Sequence, residues 1–345
     1  MYSESDIEGA VAAGVISPDI AAAFRNHVAS GRSTPAVDEE HFRLLTGFND
    51  IFVAIALGLT LTAIGWIGSK ITVGMGGLGV AVAAWLFAEY FTRRRRMALP
   101  SILLLLAFAG GVAATQIGIM VKLDPQLPDR VNAVIGAGIA AVTAAATWAH
   151  WRRFMVPITV AAGALALVGV ATGLTIAAWP AAKSDGVLFP TLLLGGILVF
   201  GLAMWWDTSD KERRTRRADV AFWLHLTAAP LIAHSTFHML GVFNGDIDVV
   251  RALIVLALYL VFAFVALAVD RRALLVSSLV YVLYAMYALF QTVGAVELGA
   301  ALTALVIGSA LLTLSVFWHQ MRTLVVGLLG GLRDRLPPVQ TVVPA

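Results

Sequence analysis

A run of four arginines and a long apolar stretch stand together at residues 93–121, which read RRRRMALPSILLLLAFAGGVAATQIGIMV. The segment 99–121 is long enough to cross the membrane as one helix, because a span of about 30 Å of hydrocarbon needs about 20 apolar residues. Basic runs stay on the cytoplasmic side of such spans. The stretch therefore predicts a transmembrane helix that begins on the cytoplasmic side, just after Arg96.

The rest of the chain repeats this pattern. Hydrophobic residues make up 59% of the sequence and charged residues only 13%, whereas soluble globular proteins carry about 25% charged residues. The fold class predicted is all-α, a polytopic integral membrane helical bundle with about ten transmembrane helices. The ten predicted spans are 50–69, 73–92, 99–121, 131–149, 156–178, 188–206, 220–242, 249–269, 273–293 and 298–319.

The basic residues predict the orientation of these helices. With the N-terminus inside, 19 of the 24 Lys and Arg residues fall on the cytoplasmic side, so both termini are predicted to be cytoplasmic. The net charge of +3 therefore reflects membrane orientation and predicts no nucleic-acid partner. The cytoplasmic groups are Arg25, Arg32, Arg43, Arg93 to Arg96, Arg152, Arg153, Lys211 to Arg217, Arg271, Arg272, Arg322, Arg333 and Arg335.

The spans divide the chain into three parts. Residues 1–48 are predicted as a cytoplasmic N-terminal segment with short helices near 5–13 and 18–30, because Ser17 and Pro18 have the residue types of a helix start. Residues 49–320 form the membrane domain, and 321–345 form a cytoplasmic interfacial helix and tail. The arithmetic of ten spans also permits two inverted halves of five helices, 49–179 and 187–320.

Two charged features of the cytoplasmic side have simple interpretations. The longest connection, 207–219, is interpreted as a strap that faces lipid headgroups, with a partner site as the alternative. Glu89 stands four residues before Arg93 at a helix end, which predicts an ordinary ion pair between neighbouring turns.

The seventh span carries the most unusual chemistry, because it places three histidines in a membrane helix. Ionisable residues in the membrane are costly, so His225, His234 and His238 are candidate functional residues. His234 and His238 share one face, His225 lies on roughly the opposite side, and Pro230 is predicted to break or bend the helix. A proton-responsive site, a metal or haem site using His234 and His238, and neutral histidines bonded to neighbouring helices all remain open.

The ninth span carries a polar stripe. Tyr281, Tyr284, Tyr287 and Gln291 recur at helical spacing, so they share one broad face of the helix. This face is interpreted either as the lining of a polar cavity, facing the histidines of the seventh span, or as ordinary helix packing.

Several classes of function are excluded or disfavoured. The chain has no cysteine, which removes disulfides, thiolate metal sites and cysteine nucleophiles. No catalytic triad, zinc-protease or phosphate-loop motif occurs, so the chain is predicted not to be an enzyme, and no cofactor is predicted beyond the haem or metal alternative.

The N-terminal residues 8–20, EGAVAAGVISPDI, followed by short-looped spans, resemble bacterial predicted multi-pass membrane proteins of unknown function. The resemblance implies a multi-pass protein of the bacterial inner (plasma) membrane. The leading hypothesis is a transporter-like bundle for a small solute or ion, with proton coupling through the histidines as one form of it. The alternatives are a scaffold or sensor that acts through residues 1–48 and 207–219, and a haem or metal protein. The expected partners are the lipid bilayer, a small solute or ion, and a second copy of the chain or another membrane protein.

Overall fold

The computed structural model describes residues 4–32, 48–123, 127–179, 184–211, 213, 215–242, 249–292 and 299–337, and every regular element in them is helical. The thirteen α-helices are α1 (Glu4–Ala12), α2 (Pro18–Arg32), α3 (Phe48–Ile71), α4 (Met75–Ala88), α5 (Ala98–Leu123), α6 (Asp129–Phe154), α7 (Ile158–Ala178), α8 (Ser184–Thr208), α9 (Arg216–Met239), α10 (Val249–Val269), α11 (Ala273–Thr292), α12 (Gly299–Val316) and α13 (Trp318–Leu328). A π-helix, Glu89–Arg94, continues α4, and a 3₁₀ helix, Gly330–Arg335, follows α13.

Nine of the described helices, α3 to α10 and α12, are long and apolar enough to cross a membrane. The remaining predicted span corresponds to α11, whose described apolar part, Ala273–Ala288, is shorter. A helix suits the lipid interior of a membrane because it forms its backbone hydrogen bonds within itself. Lipid chains offer no donors or acceptors to the backbone. The prediction of an all-α polytopic bundle is therefore confirmed, and the protein is a multi-pass membrane protein.

Helices that follow one another in the chain are mostly neighbours in space. The helices α3, α4 and α5 pack together, α6 packs along α7, and α8 packs along α9. In the last third of the chain, α11 contacts α9, α10 and α12, and α13 folds back against α10. Short connections favour this arrangement, because they force adjacent helices to run antiparallel. The division into two inverted halves stays a prediction.

Glycines let α4 and α5 approach to backbone contact. A Cβ atom built on Gly77 would lie 2.6 Å from the backbone nitrogen of Thr115, and one built on Gly111 would lie 2.7 Å from the carbonyl oxygen of Gly77. No side chain fits into either space. Small residues hold membrane helices together in this way, because helix association in lipid depends on close packing.

The N-terminal helices form as predicted. The helix α2 begins at Pro18, and the hydroxyl of Ser17 accepts a hydrogen bond of 3.3 Å from the backbone N–H of Ile20. Gly14 has a φ of 71°, a left-handed conformation that ends the preceding helix at little cost. Side-chain oxygens at such helix starts satisfy N–H groups that have no partner inside the helix.

Three features differ from the sequence-based expectation. The strap 207–219 is helical at both ends: α8 continues through Asp207 to Thr208, and α9 begins at Arg216. Pro230 lies inside α9 without breaking it, because a proline removes only one hydrogen bond of a long helix. The predicted interfacial helix begins early, at Trp318, which is buried against the bundle. The predicted tail beyond Pro337 lies outside the described residues.

Candidate functional site

The helix α9 stands out among the spans by its surroundings. About half of it is buried inside the protein, the largest share among the nine described spans, whereas 11% of α3 is buried. The same helix has the lowest mean hydropathy of the nine. In a membrane, a polar span must face protein or water rather than lipid, since an unpaired polar group in hydrocarbon costs several kcal/mol, on the order of 2–7. The most polar span is therefore also the most enclosed.

A cluster of charges lies where α8 ends and α9 begins. Asp207, in the last turn of α8, accepts a hydrogen bond of 2.7 Å at its Oδ1 from Nη2 of Arg271. Its Oδ2 lies 3.6 Å from Nη2 of Arg213 and 3.6 Å from Nε2 of His225, which projects from α9. One carboxylate thus joins the end of α8, the following loop, α9 and the turn before α11.

A second carboxylate extends this cluster to the C-terminal helix. Asp270 accepts hydrogen bonds of 2.9 Å from Nη1 of Arg213 and 2.8 Å from the indole N–H of Trp318. Nε of Arg322 lies 3.5 Å from Asp270, and its Nη2 donates to the carbonyl of Pro337 at 2.7 Å. The helix α13 is therefore held against the turn between α10 and α11. We call this set the charge cluster: Asp207, Arg213, His225, Asp270, Arg271 and Arg322.

The side chains of the charge cluster are all at most 5% exposed. Burying charges is expensive, and mutual attraction repays the cost only where geometry and hydrogen bonding are good. The backbone adds strain, because Arg213 and Asp270 have φ angles of 52° and 59°, which non-glycine residues rarely adopt. They are two of four such residues in the described part of the chain, and they bind each other. Such strain is typical of sites where function constrains the backbone.

The two other histidines of α9 lie farther along the helix, near α8 and α11. Nδ1 of His234 lies 2.5 Å from the hydroxyl of Tyr281, so the two groups share one hydrogen bond. The ring of His238 stacks on Phe189 of α8, with ring centres 3.5 Å apart. At about 1.5 Å per residue, His225 and His238 are separated by about 20 Å, so the histidines follow the length of α9 rather than meeting at one point.

The residues of the predicted polar stripe of α11 differ in how far they are buried. Tyr281 is 6% exposed and bonded to His234, whereas Tyr284 and Tyr287 are 42% and 43% exposed. The side chain of Gln291 lies outside the described residues. Of the three tyrosines, Tyr281 is thus the one that bonds a histidine of α9. In the described part of the chain, no three His, Asp or Glu side chains lie close enough to hold a metal ion.

A second buried histidine besides His225, His150 of α6, was not anticipated from the sequence. It is fully buried among Trp85, Phe108 and Phe154, with ring centres between 4.6 and 5.9 Å from its own. Its Nδ1 lies 3.4 Å from the hydroxyl of Thr159. A single histidine beside a basic helix end shows no spacing pattern, so the sequence contains no signal that separates it from an interfacial residue.

The charge cluster was also missed, except for His225. Its two carboxylates carry a recognisable signal, because each lies at the C-terminal end of an apolar helix. Asp207 is in the last turn of α8, and Asp270 directly follows α10. The C-terminus of a helix carries partial negative charge, so a carboxylate there requires a nearby cation. No known protein family, curated protein or solved structure matches this chain.

Proposed function

We propose that this protein is a transporter of a small solute or ion, with a translocation path along α9. The proposal places it in a bacterial inner membrane with both termini in the cytoplasm. The observation that supports it most is that the most enclosed span is also the least apolar. Polar residues in the interior of a membrane bundle are characteristic of pathways for ions and substrates.

The charge cluster is proposed to act as the gate at the cytoplasmic end of this path. It links three parts that a gate has to move relative to one another: the α8–α9 connection, the α10–α11 turn and α13. Buried ion pairs are poor stabilisers but good switches, because an alternative arrangement with hydrated charges differs by little free energy. The strained backbone at Arg213 and Asp270 favours such a second arrangement.

Proton coupling is proposed for His234. An imidazole ring has two nitrogens, and the neutral ring donates a hydrogen bond from one of them and accepts at the other. Its partner Tyr281 offers a hydroxyl that both donates and accepts a hydrogen bond. In this proposal, protonation of His234 makes it a donor at both ring nitrogens, so that Nδ1 donates to the hydroxyl of Tyr281.

The test uses purified protein in proteoliposomes that contain a pH-sensitive dye. Gradients of sodium, potassium, chloride and a mixture of amino acids and sugars are imposed one at a time. We expect at least one gradient to change the luminal pH in protein-containing vesicles and not in empty ones. Absence of any response to the panel, together with no current on a solid-supported membrane, would contradict a transport function.

A matched pair of variants tests the path itself. Tyr281→Phe removes the hydroxyl that bonds His234, and Tyr284→Phe removes an exposed hydroxyl one turn away on the same helix. We expect the first variant to reduce proton-coupled flux about tenfold, as loss of one hydrogen bond in a path allows, and the second to leave it unchanged. Equal effects of the two variants would remove His234 and Tyr281 from the path.

A second candidate, a membrane scaffold or sensor, is supported by the N-terminal helices. Val15, Ile20 and Phe24 are 74%, 58% and 45% exposed on or beside α2. Apolar side chains left open at this scale are typical of contact surfaces for proteins or membranes. A photo-crosslinking residue at position 24, with one at position 19 as the control, would show whether this surface contacts a protein partner or the membrane. A defined partner crosslinked only at position 24 in cells favours the scaffold, and crosslinks to lipid alone contradict it.

A further inference from the structure

A lateral groove lies between α3, α4 and α5, and its possible occupant does not depend on the transport proposal. The groove has a volume of about 760 Å³ and is open along one side. Its lining runs along α3 from Gly58 to Lys70 and is completed by Val80 of α4 and by Leu103 and Leu106 of α5. The helix α3, which supplies most of this lining, is one of the two least buried of the nine described spans, with 11% of it buried.

The length of the groove matches one leaflet of a bilayer. Gly58 and Lys70 are twelve residues apart, which is about 18 Å along a helix. The hydrocarbon core is about 30 Å thick, so the groove extends from one membrane surface to about the middle. Trp66 lines the groove near its outer end and is 68% exposed, as is typical of tryptophans at the level of the headgroups. These dimensions suit an acyl chain.

The polarity of the groove changes along its length. The deep part is lined by Gly58, Leu61 and leucines of α5, whereas Ser69 and Lys70 lie at the outer end. A second lysine is nearby, because Nζ of Lys122 donates a hydrogen bond of 3.2 Å to the hydroxyl of Thr72, which follows α3. Few basic residues are predicted on this side of the membrane. Two of them therefore lie where the headgroup of a lipid in the groove would be.

We infer that this groove binds a phospholipid with an anionic headgroup, whose acyl chain lies along Gly58 and Leu61 and whose phosphate contacts Lys70. The charge argues for a lipid rather than a second copy of the chain. A symmetric dimer through α3 would bring the lysines of both copies to the same depth, where like charges repel. An anionic headgroup instead attracts them.

The test measures lipid retention by the purified full-length protein with native mass spectrometry. Delipidated protein is mixed with phosphatidylglycerol or with phosphatidylcholine of identical chains. We expect wild type to retain the anionic lipid in preference to the zwitterionic one by about fivefold, the size expected from one lysine near an anionic surface. We expect Lys70→Gln to abolish this preference and Lys70→Arg to keep it.

A second pair of variants separates the acyl groove from the headgroup contact. A Cβ atom on Gly58 meets no atom within 4 Å, so Gly58→Leu fills the groove without disturbing the packing of α3. Gly308 of α12 is equally open, and Gly308→Leu is the matched control. We expect Gly58→Leu to lose bound lipid of both kinds and Gly308→Leu to behave as wild type. Lipid binding unchanged in Gly58→Leu, or a lipid-free dimer that Gly58→Leu dissociates, would overturn the proposal.

Discussion

The basic connections in the two halves of the chain solve the same electrostatic problem in opposite ways. In the first half, Glu89 binds Nε of Arg153 at 2.7 Å and Nη1 of Arg93 at 3.3 Å, and these side chains are 32% to 55% exposed. In the second half, Asp207 binds Arg271 at 2.7 Å with both side chains at most 5% exposed. The contacts have the same chemistry, but only the second pair has been taken out of water.

The histidines beside these ion pairs repeat the contrast. His150 lies three residues before Arg153 on α6 and is surrounded by aromatic rings, whereas His225 lies 3.6 Å from the buried carboxylate of Asp207. The comparison teaches that a carboxylate, arginines and a histidine at a helix end do not by themselves make a site. Burial changes their role, because a hydrated ion pair mainly fixes topology whereas a buried one constrains which helices can separate.

The largest effect is expected from removing the buried carboxylate. Asp207→Asn leaves Arg271 buried without the carboxylate that it bonds, and leaves Arg213 with Asp270 alone, which costs about 3–5 kcal/mol of the free energy of unfolding. Unfolding in mixed micelles of detergent and SDS measures the change. Asp219→Asn, an exposed aspartate in the first turn of α9, is the control. A small effect of Asp207→Asn would show that the cluster is hydrated and that the contrast between the two halves of the chain is false.

An intermediate effect is expected from the histidines. His225→Phe removes a polar neighbour of Asp207, and leaving a buried acceptor less satisfied costs roughly 1–3 kcal/mol. His150→Phe keeps a ring of similar size in an aromatic pocket, where such swaps usually cost less than about 1.5 kcal/mol. The same unfolding measurement compares the two variants. If His150→Phe proved the more damaging, the first-half histidine would have a role beyond packing.

The smallest effect is expected at the exposed pair. Glu89→Gln should shift the melting temperature by no more than about 2 °C, because exposed ion pairs contribute little to stability. Raising the salt from 0.1 to 1 M should remove even this difference, since the screening length falls from about 10 to about 3 Å. The destabilisation by Asp207→Asn should persist at both concentrations. Equal salt sensitivity of the two variants would indicate that water reaches both pairs.

The parts of the structure that follow from local sequence were predicted well. Long apolar runs and the alternation of basic connections predict the spans, and the Glu89–Arg93 pair follows from its four-residue spacing. The partners Arg271 and Asp207 are 64 residues apart, and no spacing rule connects residues at that distance. The pairing depends on how the helices of the second half pack against one another. From the sequence alone, the charges of the strap were therefore interpreted as hydrated residues that set the membrane orientation.

The interpretation of the α9 histidines shows the same limit. Their periodicity predicts that His234 and His238 share one face of the helix and that His225 lies on another. It does not predict that His238 stacks on Phe189 or that His234 bonds Tyr281, because both partners belong to other helices. The roles of His225, His234, His238, Tyr281, Tyr284, Tyr287 and Gln291 in transport stay proposals.

The pairing of Asp207 with Arg271 also sets an order of events during biosynthesis. Ribosomes add about 5–20 residues per second, so the arginine is made about 3–13 s after the aspartate. During that interval the end of α8 is in the membrane without its main counter-charge. The second half therefore completes its assembly only after the α10–α11 hairpin has been inserted. A nascent chain halted between the two residues would lack the arginine that bonds Asp207 in the finished protein.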